Sequence, residues 1–390
     1  MAQNFYTDYA NHSLDGIDEI VINAVEADIT LVNANGNQIS WEANWRDAIG
    51  QPEIIREGKR LIIRFNERNI YVNFFGITIG KTRDGTWKGS LESAKISVPE
   101  GFPLVSVNLV SGDVSFDNLN LGRSCRISTM SGNVRGANLH VKEGKITTKS
   151  GDIDLRGIIG DSFVLDTFSG EIGLRDHSCQ KVHLKSKSGD IQVSEAVGDL
   201  KELNVDNISG DITINKAPAM AKINTISGDI RFSSSEKRRI DWSFRSVSGN
   251  IVLETADIHS HLFFSTISGE INFQNVRPGY NAKNEYLLGN GEDGKITLQT
   301  VSGDARLRVT ESDPNRAAKE TRTVGIEDDF DRKEYAKRFV QPDENVQKVV
   351  QMNRQGILSG EEAVDLLRSM GYKDEEIALF LEKEDTPEGG

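Results

Sequence analysis

The side chains best suited to metal binding or nucleophilic chemistry are few. There are six histidines, His12, His140, His177, His183, His259 and His261, and two cysteines, Cys125 and Cys179. Only His259-Ser260-His261 forms a close pair, with no third ligand near it in sequence, so no metal site is expected. The cysteines stand outside any CxxC or Cys/His spacing and read as two isolated thiols in a reducing compartment. HExxH, GxSxG, GxGxxG and Walker-type patterns are absent from the sequence, and the acidic GNGEDG run at 289–294 is followed by no Gly-Lys-Ser/Thr. We therefore expect no catalytic residues, no cofactor and no enzyme activity.

Acidic groups are plentiful but repeat rather than cluster. A Ser-Gly-acid/amide triplet begins at Ser111, Ser131, Ser150, Ser169, Ser188, Ser209, Ser227, Ser248, Ser268 and Ser302, with gaps of 18 to 21 residues and a last gap of 34. The acidic position is read as a turn cap that uses local backbone hydrogen bonds, not as a calcium ladder. Glycosidase chemistry would need two carboxylates paired across one site, which this distribution does not suggest.

The elements that position these residues follow from the columns around the triplet. Four residues before each serine stands an apolar group, from Val107 and Ile127 to Phe264 and Leu298. Three residues after it come Val114, Val134, Ile153, Ile172, Ile191, Ile212, Ile230, Ile251, Ile271 and Ala305. Five after it, only Gly136 fails to supply a large apolar group. A period of two on both sides of a glycine-bearing bend means strand, bend, strand. Stacking such units in register places Ile over Ile and Thr over Thr, and predicts an all-β, parallel β-solenoid of about 19–20 residues per coil. Gly112, Gly132, Gly151, Gly170, Gly189, Gly210, Gly228, Gly249, Gly269 and Gly303 are the structural turn residues, through a positive φ or a backbone approach too close for a Cβ.

Two further columns carry expectations. Two residues before the serine, nine of ten positions are Thr, Ser or Asn, with inward parity, and a coil-to-coil ladder of side-chain hydrogen bonds is predicted there. One residue before it, Val110, Met130, Phe168, Ile208, Ile226, Val247, Ile267 and Val301, interrupted by Lys149 and Lys187, have outward parity. An exposed apolar stripe of this kind is a candidate binding surface for a protein partner or a second copy.

Organisation along the chain is read as a β-rich N-terminal cap or irregular first coils over 14–98, with Trp41 and Trp45 in its core, solenoid repeats over 99–310, a polar linker over 311–328 and a helical segment over 329–385. In the last, Ser359 and Glu362 form a capping box. The 34-residue gap is read as one coil carrying a long excursion. The formal net charge is −13, and residues 311–390 carry −8 of it, so no nucleic-acid partner is expected. The first twenty residues lack a basic and then apolar leader and no apolar run is long enough to span a bilayer, so cytoplasmic residence without a membrane span is expected.

The stretch AKISVPEGFPLVSVNLVSGDVSF (94–116), the iterated TxSGDIxL units and GNGEDGKITLQTVSGDARL (289–307) resemble the bacterial "putative adhesin" family of β-strand repeats, over roughly residues 14–310. The resemblance implies a right-handed β-solenoid and no established enzyme activity. Gly356-Ile357-Leu358-Ser359-Gly360-Glu361-Glu362-Ala363 is similar to a helical segment joined to this domain in Lia-type envelope-stress proteins of Gram-positive bacteria, where it lies N-terminal rather than C-terminal. This implies a scaffold or binding protein of an envelope-stress response whose helical tail mediates self-association or masking. The alternative is a carbohydrate-binding or carbohydrate-active β-helix protein acting on envelope polysaccharide, with the loop around Tyr280 and Tyr286 as its contact region.

Overall fold

In the computed structural model the described residues are 5–46, 52–65, 72–74, 77–79, 90–194, 200–216, 218–234, 239–256, 258–282, 284–292, 294–310, 322–324, 363–364 and 368. Residues 1–324 and 325–390 form two units. The helical tail lies outside the described residues except for Ala363, Val364 and Arg368, which are helical.

Each repeat folds as the period of two dictates. Strands that precede the triplet, such as Glu143–Ser150, Ile159–Ser169 and Ser178–Ser188, pair in parallel and in register, with Ile146 opposite Leu165 and Leu165 opposite Leu184. Strands that follow it, such as Ile153–Arg156, Ile172–Arg175 and Ile191–Ser194, form a second parallel ladder, with Ile153, Ile172 and Ile191 in one line. The inward columns of both ladders are buried almost completely and form one continuous core. Each buried Ile or Leu contributes about 1.5–3 kcal/mol of transfer free energy. Gly136, the small exception in its column, faces the Phe116 ring of the adjoining coil, which lies 2.0 Å from where its Cβ would stand. Gly144 makes the same room for Phe163. The core is thus filled by large and small residues alternating between coils.

Sequence order and spatial order agree through the middle and part company at both ends. At the start, Glu19–Glu26 and Asp28–Ala34 lie under the Ser111 coil, with Val107 opposite Ile22 and Val114 opposite Ile29. Glu26-Ala27-Asp28 stands in the triplet's place, so an eleventh coil sits inside the stretch read as a cap. Beyond it lie Arg60–Phe65 and Ser90–Pro99, which are covered by antiparallel strands Glu53–Glu57 and Gln38–Arg46, the latter bordered in turn by Phe5–Ser13. Trp41 and Trp45 are buried there against Phe65, with ring centroids 6.2 and 6.4 Å apart.

At the far end the expected excursion proves to be an exchange of order. Gly294–Ser302 pairs on one side with Ile240–Ser248 and on the other with His261–Ser265, so the Ser302 coil is inserted between the Ser248 and Ser268 coils. Its second strand, Ala305–Val309, lies likewise between Ile251–Thr255 and Ile271–Gln274. The 34-residue gap supplies the chain needed to build the outermost coil first and then return beneath it. That coil is covered by antiparallel Glu285–Leu287 and by Arg322–Val324, a strand inside the stretch read as a linker. Pairing satisfies an edge that would otherwise present unbonded N–H and C=O groups.

Candidate interaction surface

The triplet corner explains its own composition. A Cβ on Gly132, Gly151, Gly170, Gly189, Gly210, Gly228 or Gly249 would stand 2.0 to 2.4 Å from the carbonyl oxygen of the glycine in the preceding coil. The line continues through Gly303 and Gly269, in spatial order, and begins at Gly112 against Ala27. Nine of the ten glycines also have φ between 119° and 159°. Gly151 does not, so the close approach is what all ten share.

The acidic position works between coils and not within its own turn, contrary to expectation. Asp113 Oδ1 accepts a hydrogen bond from the backbone N–H of Asn133 at 2.8 Å, Asn133 Oδ1 from Asp152 at 2.9 Å, and Asp152 Oδ1 from Glu171 at 2.9 Å. The pattern resumes from Asp190 through Asp211, Asp229 and Asn250 to Asp304 and Glu270. A carboxylate or amide one methylene from the backbone reaches the next coil's N–H, and both Asp and Asn supply that acceptor. Among the described residues, no group of three His, Cys, Asp or Glu side chains is placed to hold a metal ion.

The Thr/Ser/Asn column is buried as expected except at half-buried Thr266, and its bonded members bond to backbone and not to one another. Thr148, Thr167 and Ser186 donate to the carbonyls of Gly132, Gly151 and Gly170 at 3.2, 3.1 and 3.4 Å, and Asn207 Nδ2 donates to Gly189 at 3.1 Å. The tight glycine corner holds each carbonyl within reach of the hydroxyl one coil on, and this displaces the side-chain ladder. Thr129, Thr225, Ser246, Thr266 and Thr300 have no such partner.

A second corner escaped the sequence reading. Seven residues after the serine, Asn118, Asn138, Asp176, Lys216 and Asn275 adopt φ between 50° and 60°, and Gly157 has φ 67°. The visible signal was a recurring Asn, Asp or Gly, the types that tolerate the left-handed region.

The stripe before the triplet is half-buried along its length and most open at Phe168, which is 49% exposed. Neither Phe168 nor Ile226 is fully buried by the described chain. Lys187 Nζ lies 4.7 Å from the Phe168 ring centroid, and Lys149 is exposed on the other side, so two cations flank one aromatic ring. Val110, Met130, Ile208, Val247, Val301 and Ile267 extend the line at one residue per coil, the last two in exchanged order.

Most of the remaining chemistry-bearing residues have structural partners or are buried; of the histidines, His140 is exposed and His12 half-buried. Burial pushes the Cys125 and Cys179 thiols up to about 12, so neither is a ready nucleophile. His183 is raised by its bond to Asp206, 3.3 Å away, which lowers Asp206 in turn. Burial lowers His177 to about 4, and both of its ring nitrogens lack hydrogen-bond partners. His261 meets Glu285 at 2.9 Å, and His259 Nδ1 accepts the N–H of Asn290. Tyr286 is buried against Phe273, with centroids 5.1 Å apart, and offers no open ring to a sugar; the Tyr280 side chain lies outside the described residues. The described residues contain no helix long and apolar enough to cross a membrane.

No curated protein matches the chain. Among solved structures, it is similar to a putative cell adhesion protein from Clostridium sporogenes, at 9% identity over 79% of this chain and 100% of that one, with a TM-score of 0.21. It is also similar to a putative adhesin from Bacteroides fragilis, at 11% identity over 78% of this chain and 96% of that one, with a TM-score of 0.32. The profile described as Toastrack DUF4097 matches residues 17–262, more than half of the sequence and most of the coils set out above, and the chain belongs to that family.

Proposed function

We propose that the chain is a non-enzymatic, adhesin-like scaffold, a right-handed β-solenoid that engages a protein partner along the stripe before the triplets. What supports this reading is the column of half-buried apolar side chains that opens at Phe168 between Lys149 and Lys187. A side chain of this type that no neighbouring coil covers is an anchor available to a partner. The proposal includes cytoplasmic residence, a place in a bacterial envelope-stress response, and a C-terminal helical segment that mediates self-association or masking. Cell fractionation tests the first.

The binding test compares the wild type with a Phe168→Asp/Ile226→Asp variant in capture of partners from the native host. Both positions are solvent-accessible, so the variant keeps its circular dichroism spectrum and loses the captured protein. Equal capture by both chains rejects the stripe as the binding surface.

A second reading, glycan binding, draws on one observation: a 360 Å³ groove lined by Tyr9, Asn11, Ser40, Glu42, Lys95 and Ser97, where one exposed aromatic ring stands over polar groups. Saccharide binding on a glycan array that Glu42→Ala abolishes would favour it.

A further inference from the structure

Among the described residues four strands border the open rims of the two ladders, and three are blunted. Glu53–Glu57, EIIRE, carries a charge at three of five positions; Gly279–Ala282 has four residues and a register irregularity; Arg322–Val324 has three. Short, charged or irregular edges resist pairing with another chain. Phe5–Ser13, FYTDYANHS, is longer and carries one acidic residue, Asp8. It runs for nine residues without a bulge, pairs over its whole length with Gln38–Arg46, and contains no Lys, Arg, Glu, Pro or Gly. Its other edge has no strand partner among the described residues. In an antiparallel ladder every second residue of this strand turns both its N–H and its C=O to that open side.

The outward side chains also leave the edge clear. Thr7 Oγ1 donates to Asn44 at 2.9 Å and the Tyr9 hydroxyl donates to Glu42 at 3.3 Å, both toward the inner strand.

We propose that Phe5–Ser13 is a homotypic interface, on which two copies of the chain join antiparallel about a two-fold axis at Tyr9. This register alone pairs all nine residues with their counterparts. It sets Tyr9 against Tyr9, Thr7 against Asn11, Tyr6 against His12, and Asp8 against Ala10. A register centred on Asp8 would oppose two carboxylates, and one centred on Ala10 would leave Phe5 and Tyr6 unpaired. Aromatic pairs directly opposite one another stabilise a ladder and like charges weaken it. The result is an isologous dimer in which one ladder of each solenoid runs on into the other. An interface of one strand is small, so the dimer forms reversibly.

Light scattering on the full chain over a concentration series tests the proposal. The apparent mass rises from 43.1 kDa toward twice that value. Tyr9→Lys, at a position 70% exposed, weakens the association at least tenfold and leaves the circular dichroism spectrum unchanged. Independently, Tyr9→Cys forms an interchain disulfide on mild oxidation, because residue 9 faces itself, whereas Ser13→Cys, which faces residue 5, does not. A chain monomeric throughout the series overturns the inference, as does a dimer that Tyr9→Lys leaves intact. If Phe168→Asp/Ile226→Asp dissolves the dimer while Tyr9→Lys does not, the stripe is the contact between copies and the edge is not.

Discussion

Between Ser131 and Ser209 each coil rests on the one that precedes it in sequence, whereas beyond Ser248 the coil that follows is the one made last. The corner chemistry does not register the difference. Gly303 sits against Gly249 as Gly189 sits against Gly170, and the N–H of Asp304 bonds Asn250 as that of Asp211 bonds Asp190. The columns therefore specify that coils stack and in what register, but not which coil stacks on which. Order comes from the length of the connections: returns of ordinary length force adjacency, and the 34-residue gap permits insertion.

Substitutions at matched positions sharpen this contrast. The largest effect is expected at the glycine corner. Gly170→Ala, in the middle, and Gly303→Ala, at the exchange, each place a Cβ 2.1 to 2.2 Å from a backbone oxygen and should cost more than about 3 kcal/mol by calorimetry. Gly101→Ala, with open space around it and φ 73°, should cost only about 1–2 kcal/mol. A mild effect at Gly303 alone would mean that the inserted coil is loosely seated.

Next comes acid sensitivity confined to one coil. His177 stands five residues after Ile172, the position that Leu119, Leu139 and Ile158 fill in earlier coils, and is fully buried. Its value of about 4 lies below the ordinary 6.5, so the unfolded chain takes up the proton first as pH falls. Its contribution to stability is intact above about pH 6.5 and declines toward pH 4, by about 3 kcal/mol. His177→Leu should flatten that part of the stability profile in urea titrations at several pH values. Identical slopes in the two chains would show that other groups govern acid unfolding.

Smaller again is loss of the acceptor ladder. Asp190→Ala and Asn250→Ala each leave one backbone N–H without its partner and should each cost about 1–2 kcal/mol in thermal melts. Equal costs mean that the ladder is indifferent to chain order; a smaller cost at Asn250 means that contacts distant in sequence are weaker. Finally, Lys216→Gly should raise stability by about 1 kcal/mol, since φ 56° strains a lysine and suits glycine. An unchanged or lowered melting temperature would count against strain at the second corner.

Much of this design is legible in the sequence, and the gaps have physical causes. Ile over Ile, the buried Thr column and the indispensable glycines follow from a period of two with a fixed corner. The eleventh coil was missed because Glu26-Ala27-Asp28 keeps only the acceptor of the triplet, Asp28, whose Oδ1 accepts the N–H of Asp113. The second corner was missed because Asn, Asp, Gly and Lys all serve there, so no single letter recurs. Of the surface stripe, the sequence supplied the outward parity, but not that Lys187 would lie over Phe168. The exchanged coils were invisible in principle, because matching columns give every coil the same docking preference.

That last property has a consequence for how the chain is made. During synthesis the segment 258–274 leaves the ribosome before the segment on which it must finally rest, and the Ser248 coil meanwhile offers it a matching surface. At about 5–20 residues per second that surface stays open to it for several seconds. If it docks there first, the Ser302 coil can take its place only by displacing it outward by one rung.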